Sequence, residues 1–120
     1  MKLIFSTQQN TFEKINIPIN NLEVNGKYKL YFSQSNSTVA TNNNNYGCTI
    51  LNTQITQTTS TINPLLWSKT TQEDIKKSIN QSITFTATAQ TMYWIWDFSR
   101  LQDETESEFR IYDVYITRIN

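Results

Sequence analysis

The aromatic chemistry of this sequence is concentrated in one stretch. Trp94 and Trp96 stand two residues apart, Tyr93 precedes them, and Trp67 lies upstream. On a strand, a spacing of two puts both tryptophans on one face. If that face is exposed, the rigid rings can stack on the apolar face of a sugar. If it is buried, they are core side chains, since Met92 and Phe98 share their parity. A protein–protein contact is the third reading. Trp94, Trp96, Tyr93 and Trp67 are therefore the candidate ligand-binding residues.

A second cluster is acidic. Asp103, Glu104, Glu106 and Glu108 fall in a charged stretch read as a loop over residues 100–107. Oxygen-rich loops suit Ca²⁺, which makes Asp103, Glu104 and Glu106 the candidate metal ligands, with a solvated loop as the alternative. Glycoside hydrolysis needs two carboxylates facing each other across a cleft, and acidic residues gathered in one loop do not supply that. The sequence has no His, which excludes Ser-His-Asp and Cys-His catalysis and every His-containing zinc site. Its one Cys, Cys48, cannot form an internal disulfide and reads as a small buried apolar residue. These residues point to a protein that is not an enzyme.

The elements that must position these residues are strands. The chain has 120 residues, the length of one domain spanning 1–120. Thr, Asn, Ser and Gln make up 51 of them, a polar content that could signal disorder. The chain also holds 14 Ile, 6 Phe, 6 Tyr and 3 Trp, which together with Thr are what half-buried strands prefer. Its 10 basic and 10 acidic residues balance, so a charged face for nucleic acid or an anionic membrane is not expected.

Alternation places the strands. Tyr28, Leu30 and Phe32 share one face of Lys27–Ser33, and Ile83, Phe85, Ala87 and Ala89 share one face of residues 82–90. Shorter strands are expected at Lys2–Phe5, within residues 11–19 ending at an edge marked by Pro18, at Cys48–Leu51 and at Gln54–Thr58, while Ile62–Trp67, with Pro64 inside it, reads as an edge strand or a packed loop. The outer faces of Cys48–Leu51 and Gln54–Thr58 are expected to be exposed. Asn20, Asn21, Asn25 and Gly26 supply turn chemistry. In the last strand Phe109 and Ile111 have one parity and Val114 and Ile116 the other, which predicts a β-bulge near Tyr112–Asp113. Asp97 or Asp113 is expected to pair with Arg100, Arg110 or Arg118 at a sheet edge. One short helix is expected near residues 70–81, capped by Thr70 or Thr71, with Ile75 and Ile79 four apart. About eight short strands without a repeat favour an all-β antiparallel sandwich of jelly-roll type.

Three segments support a family resemblance. Gly26-Lys27-Tyr28-Lys29-Leu30-Tyr31-Phe32, Ser82–Thr88 and the closing run Phe109-Arg110-Ile111-Tyr112-Asp113-Val114-Tyr115-Ile116 resemble, in order and spacing, the strands of galactose-binding-like jelly rolls, a family that includes many carbohydrate-binding modules. The resemblance implies a jelly roll, glycan recognition and a structural Ca²⁺; no other cofactor is expected.

Asn, Lys, Ile, Tyr and Phe, all with AT-rich codons, total 47 residues, against 10 for Gly, Ala, Arg and Pro. This points to an AT-rich genome, as in some bacteria and many of their phages. The apolar run Leu3–Phe5 is too short for a signal peptide, and no segment is long enough for a membrane helix. The expectation is a non-catalytic bacteriophage virion protein: a capsid decoration, head-fibre or tail-attachment subunit, made in the host cytoplasm without a signal peptide. Its partners would be other virion proteins and itself, as a homo-oligomer. The alternative is a carbohydrate-binding module for cell-surface or polymeric glycans. Neither nucleic-acid binding nor membrane insertion is expected.

Overall fold

The computed structural model describes residues 2–6, 14–36, 46–55, 64–68, 78–97 and 106–119. Their regular elements are strands: β1 (Lys2–Ser6), β2 (Lys14–Ile19), β3 (Lys27–Asn36), β4 (Tyr46–Leu51), β5 (Leu66–Ser68), β6 (Ile79–Thr86), β7 (Met92–Asp97) and β8 (Glu106–Arg118). They form two four-stranded sheets, sheet A in the order β1-β8-β3-β6 and sheet B in the order β2-β7-β4-β5. Every pairing is antiparallel. The pairings are nested: β1 with β8, β2 with β7, β3 with β6 and β4 with β5.

The two sheets meet through their alternating apolar faces. Leu30 and Phe32 of β3, Ile83 and Phe85 of β6, and Phe109 and Ile111 of β8 come from sheet A. Tyr46, Cys48 and Ile50 of β4, with Met92, Trp94 and Trp96 of β7, come from sheet B. Aromatic contacts join the layers: Phe32 lies 4.9 Å from Trp94 and 5.6 Å from Trp96 between ring centroids, and Phe109 lies 4.9 Å from Trp96. Such tilted and edge-on pairs add to the gain from burial. Cys48 is fully buried, as its surroundings in the sequence suggest.

A buried polar chain also crosses the core. The Tyr46 hydroxyl donates to Gln34 Oε1 at 2.6 Å, and the Gln34 amide donates to Gln81 Oε1. Tyr46 belongs to sheet B, and Gln34 and Gln81 to sheet A, so the chain fixes how one sheet sits on the other. Gln34 is wholly buried. Tyr46→Phe removes one bond from a buried acceptor and should destabilise the protein by about 1–2 kcal/mol. An unchanged urea midpoint in that variant would show that the bond contributes nothing.

The turn before β3 follows from its asparagines. Asn21 and Asn25 have φ of 62° and 70°, in the left-handed region that Asn tolerates. A Cβ on Gly26 would lie 2.9 Å from the Glu23 carbonyl, so only glycine fits there.

Three expectations are corrected. Ile79–Gln81 belongs to strand β6, so the helix expected near 70–81 does not reach its predicted end; residues 69–77 lie outside the described residues, which include no helix. Ile79 joins the two-residue alternation that Ile83 and Phe85 continue, and this overrides its four-residue spacing from Ile75. The outer side of β4 is exposed only at its end: Leu51 is 37% exposed, whereas Thr49 is 2% exposed and Ile95 beside it on β7 is 0% exposed. The segment after β4 runs over this face: the Asn16 amide donates to the Ile55 carbonyl at 3.0 Å, and the Ile55 N–H donates to Asn16 Oδ1 at 2.9 Å. Residues 54–55 are accordingly not strand; the rest of the strand expected at 54–58 lies outside the described residues. Arg118 pairs with Glu23 at 2.6 Å, because β8 ends beside the turn that carries Glu23.

The β8 bulge is present where the parity slip predicts it. Tyr31 faces Tyr115, but Ser33 faces Tyr112, so β8 carries one more residue than β3 across this interval. Asp113 takes up the excess with φ of 54°.

Candidate functional site

The four aromatic candidates do not form one site. Trp94 is 2% exposed and Trp96 0%, each packed among core rings. A stacking platform needs an open ring face, so the sugar-platform reading of these two is corrected to core. They point inward because β7 is an interior strand between β2 and β4, and their parity matches that of Met92. Tyr93 has the opposite parity and lies half-buried on the outer side of sheet B, facing Pro18 and Leu51. Trp67 is in β5 opposite Gly47, and its side chain lies outside the described residues. Of the acidic candidates, Asp103 and Glu104 lie outside the described residues. Glu106 is not in a loop but at the start of β8, opposite Ser6. Among the described residues no group of three acidic or thiol side chains is placed to hold a metal ion.

The open face is the outer side of sheet A, and the β8 bulge builds it. Phe109 and Ile111 point into the core. Without the extra residue, strict alternation would send Tyr115 inward as well. The bulge reverses the parity, so Tyr115 emerges on the outer face directly opposite Tyr31. The two rings stack, with centroids 4.6 Å apart and planes 12° from parallel. Tyr115 keeps 55% of its surface exposed. The Lys29 ammonium lies 5.1 Å from the centre of the Tyr31 ring.

Beside this pair is a groove of about 310 Å³, lined by Tyr31, Phe32, Ser33, Asn80, Gln81, Asp113 and Tyr115. The Ser33 hydroxyl donates to Asn80 Oδ1 at 2.6 Å, which leaves the Asn80 amide group directed by that bond. Asp113, an acidic residue on the bulge itself, also lines the groove. The groove therefore offers an aromatic wall, a hydroxyl, an amide and one carboxylate. Its volume is at the small end of ligand sites, and such sites use a few polar groups to fix orientation. The chemistry available is stacking and hydrogen bonding to a hydroxylated ligand.

Sequence reasoning passed over Tyr31 and Tyr115, which are 84 positions apart and meet only because β3 pairs with β8. The available signal was the parity slip in β8: it implied that one residue after the bulge would leave the core face. No family model matches the chain, and neither does any curated protein or solved structure.

Proposed function

We propose that the chain is a non-catalytic jelly-roll binding module that holds a short glycan stretch in the Tyr31–Tyr115 groove. The carrying observation is the stacked tyrosine pair set beside Ser33, Asn80 and Asp113 on an open sheet face. Apolar sugar faces suit the rings, and sugar hydroxyls suit the amide, hydroxyl and carboxylate. The nested pairing of β1 with β8 through β4 with β5 supports the jelly-roll reading, because a long hairpin wrapped into two sheets pairs its strands in this way. Among the described residues the groove presents one carboxylate, whereas glycoside hydrolysis uses two across a cleft, which favours binding over turnover.

The AT-rich codon leaning of the composition favours a bacteriophage virion as the setting, with the module as a capsid decoration, head-fibre or tail-attachment subunit. The two readings are compatible, since a glycan groove on a particle surface would serve attachment to cells.

Affinity electrophoresis through gels loaded with soluble bacterial and plant polysaccharides tests the glycan reading. The wild-type chain should be retarded by at least one of them. Tyr115→Ala should weaken that retention about tenfold, the equivalent of one lost stacking contact. Its thermal melting should fall by no more than a few degrees, because the side chain is largely exposed and loses only its stacking on Tyr31. Equal retention of Tyr115→Ala and wild type would remove the tyrosine pair from the site.

A further inference from the structure

Four strands lie at sheet edges: β1 and β6 in sheet A, β2 and β5 in sheet B. Three have features that discourage pairing with another chain. β2 carries Lys14 and Pro18, β5 is three residues long, and β1 is five residues long and opens on Lys2. β6 differs. It runs eight residues, Ile-Asn-Gln-Ser-Ile-Thr-Phe-Thr, with no charge, no Pro and no bulge in its pairing with β3.

The phase of its backbone can be read from two bonds. Ala87 N–H donates to the Gly26 carbonyl and Ile119 N–H to the Lys27 carbonyl, each at 2.9 Å. The Gly26 carbonyl thus faces the β6 side and the Lys27 carbonyl the β8 side. Alternation along the ladder then directs the backbone N–H and C=O groups of Asn80, Ser82, Thr84 and Thr86, the partners of Ser33, Tyr31, Lys29 and Lys27, off the edge of sheet A. No other strand among the described residues pairs there.

We propose that β6 pairs antiparallel with β6 of a second copy of this chain, so that the two copies share one continuous sheet. The strand is complementary to itself. A two-fold axis at Ile83 sets Ser82 opposite Thr84 of the second copy and Asn80 opposite Thr86, and these four are the residues whose backbone groups point outward. Small hydroxyl and amide side chains then face one another, a favourable cross-strand combination, and no like charges meet. A chain with zero formal net charge adds no long-range repulsion between copies. An isologous two-fold contact is also the commonest way for a protein to associate with itself. The proposal stands on β6 alone and is independent of the glycan reading.

Light scattering on the purified full chain, together with amide exchange by NMR, tests it. The wild-type mass should be twice the 14.0 kDa of the chain at high concentration. The amides of Asn80, Ser82, Thr84 and Thr86 should be protected there and exchange quickly on dilution. Thr84→Pro deletes an outward N–H and no bond of the β3–β6 ladder, so it should give a folded monomer. Should that variant fail to fold, Ser82→Lys with Thr84→Lys places lysines opposite one another in the pair. It should be monomeric, and mixing it with Ser82→Glu/Thr84→Glu should restore the dimer. A wild-type monomer at every concentration overturns the proposal. So does a larger ring, a dimer that survives the lysine variant, or a dimer in which those four amides exchange freely.

Discussion

Trp96→Ala should destabilise the protein by about 3–5 kcal/mol, the range for emptying a buried aromatic site. Trp96 is 0% exposed, and its ring meets Trp94 at 5.5 Å, Phe32 at 5.6 Å, Tyr46 at 6.1 Å and Phe109 at 4.9 Å. Those partners belong to both sheets, so the ring bridges the layers. Its strand, β7, lies between β2 and β4 and cannot shift inward to fill the space without moving both. Domains of this size are stable by only about 5–15 kcal/mol, so the variant should be marginally folded or unfolded at room temperature. Urea denaturation followed by circular dichroism measures the loss. Trp96→Phe, which keeps a ring, should lose clearly less. A Trp96→Ala variant within about 1 kcal/mol of wild type would mean that the ring is not in a packed core. The same experiment on Trp94 separates the core role from the two surface roles first open to it, since a core residue takes stability with it and a sugar platform or protein contact does not.

Much of the fold was legible because burial on one side of a strand leaves a two-residue signature. Tyr28/Leu30/Phe32, Ile83/Phe85/Ala87 and Met92/Trp94/Trp96 all alternate, and all of them are buried. The slip between Ile111 and Val114 likewise located the bulge. The helix near 70–81 was misjudged at its end because the Ile75–Ile79 spacing is local, whereas Ile79 is held by long-range pairing with Gln34. The covering of the outer face of sheet B at Thr49 was illegible for a related reason. Thr49 alternates like an exposed residue, and the bonds from Asn16 that hold the segment at Ile55 over this sheet reach across 39 positions. The candidate groove shares this property. Its residues come from β3, β6 and β8, and only the sheet order β8-β3-β6 brings them together.

The bulge links the two outward-facing features of sheet A. It turns Tyr115 to the same face as Tyr31, next to the strand whose far edge is open. In a pair formed through β6, the two-fold axis would stand perpendicular to the shared sheet, and both tyrosine grooves would open on the same side. Two weak sites on one face would then bind a polymeric ligand more tightly than either alone. Retention of a polysaccharide should therefore fall in Thr84→Pro if both proposals hold, while binding of a short oligosaccharide should not.

Cys48 should be almost inert in the native protein and should make stability fall at high pH. Burial pushes its thiol from an ordinary value of 9.0 up to about 12, and the Trp94 indole beside it pulls only slightly the other way. That difference lowers the thiolate fraction near neutral pH about a thousandfold, and the thiolate is the reactive form. Full burial adds a steric barrier, so a disulfide reagent should reach Cys48 only through opening of the core. The sign of the stability effect follows from proton counting. Above pH 9.0 the unfolded chain releases the thiol proton, while the folded chain keeps it until about pH 12. The unfolded state then binds fewer protons, so stability falls as pH rises, by about 1.4 kcal/mol per pH unit within that window. Below pH 9.0 the contribution is fully present and flat. Urea midpoints of wild type and Cys48→Ala across this range isolate the effect, because the tyrosines that also titrate there are common to both. The two curves should run parallel below pH 9.0 and converge above it. Parallel curves throughout, or fast labelling of the native thiol, would place Cys48 in contact with water and contradict a sealed core between β4 and β7.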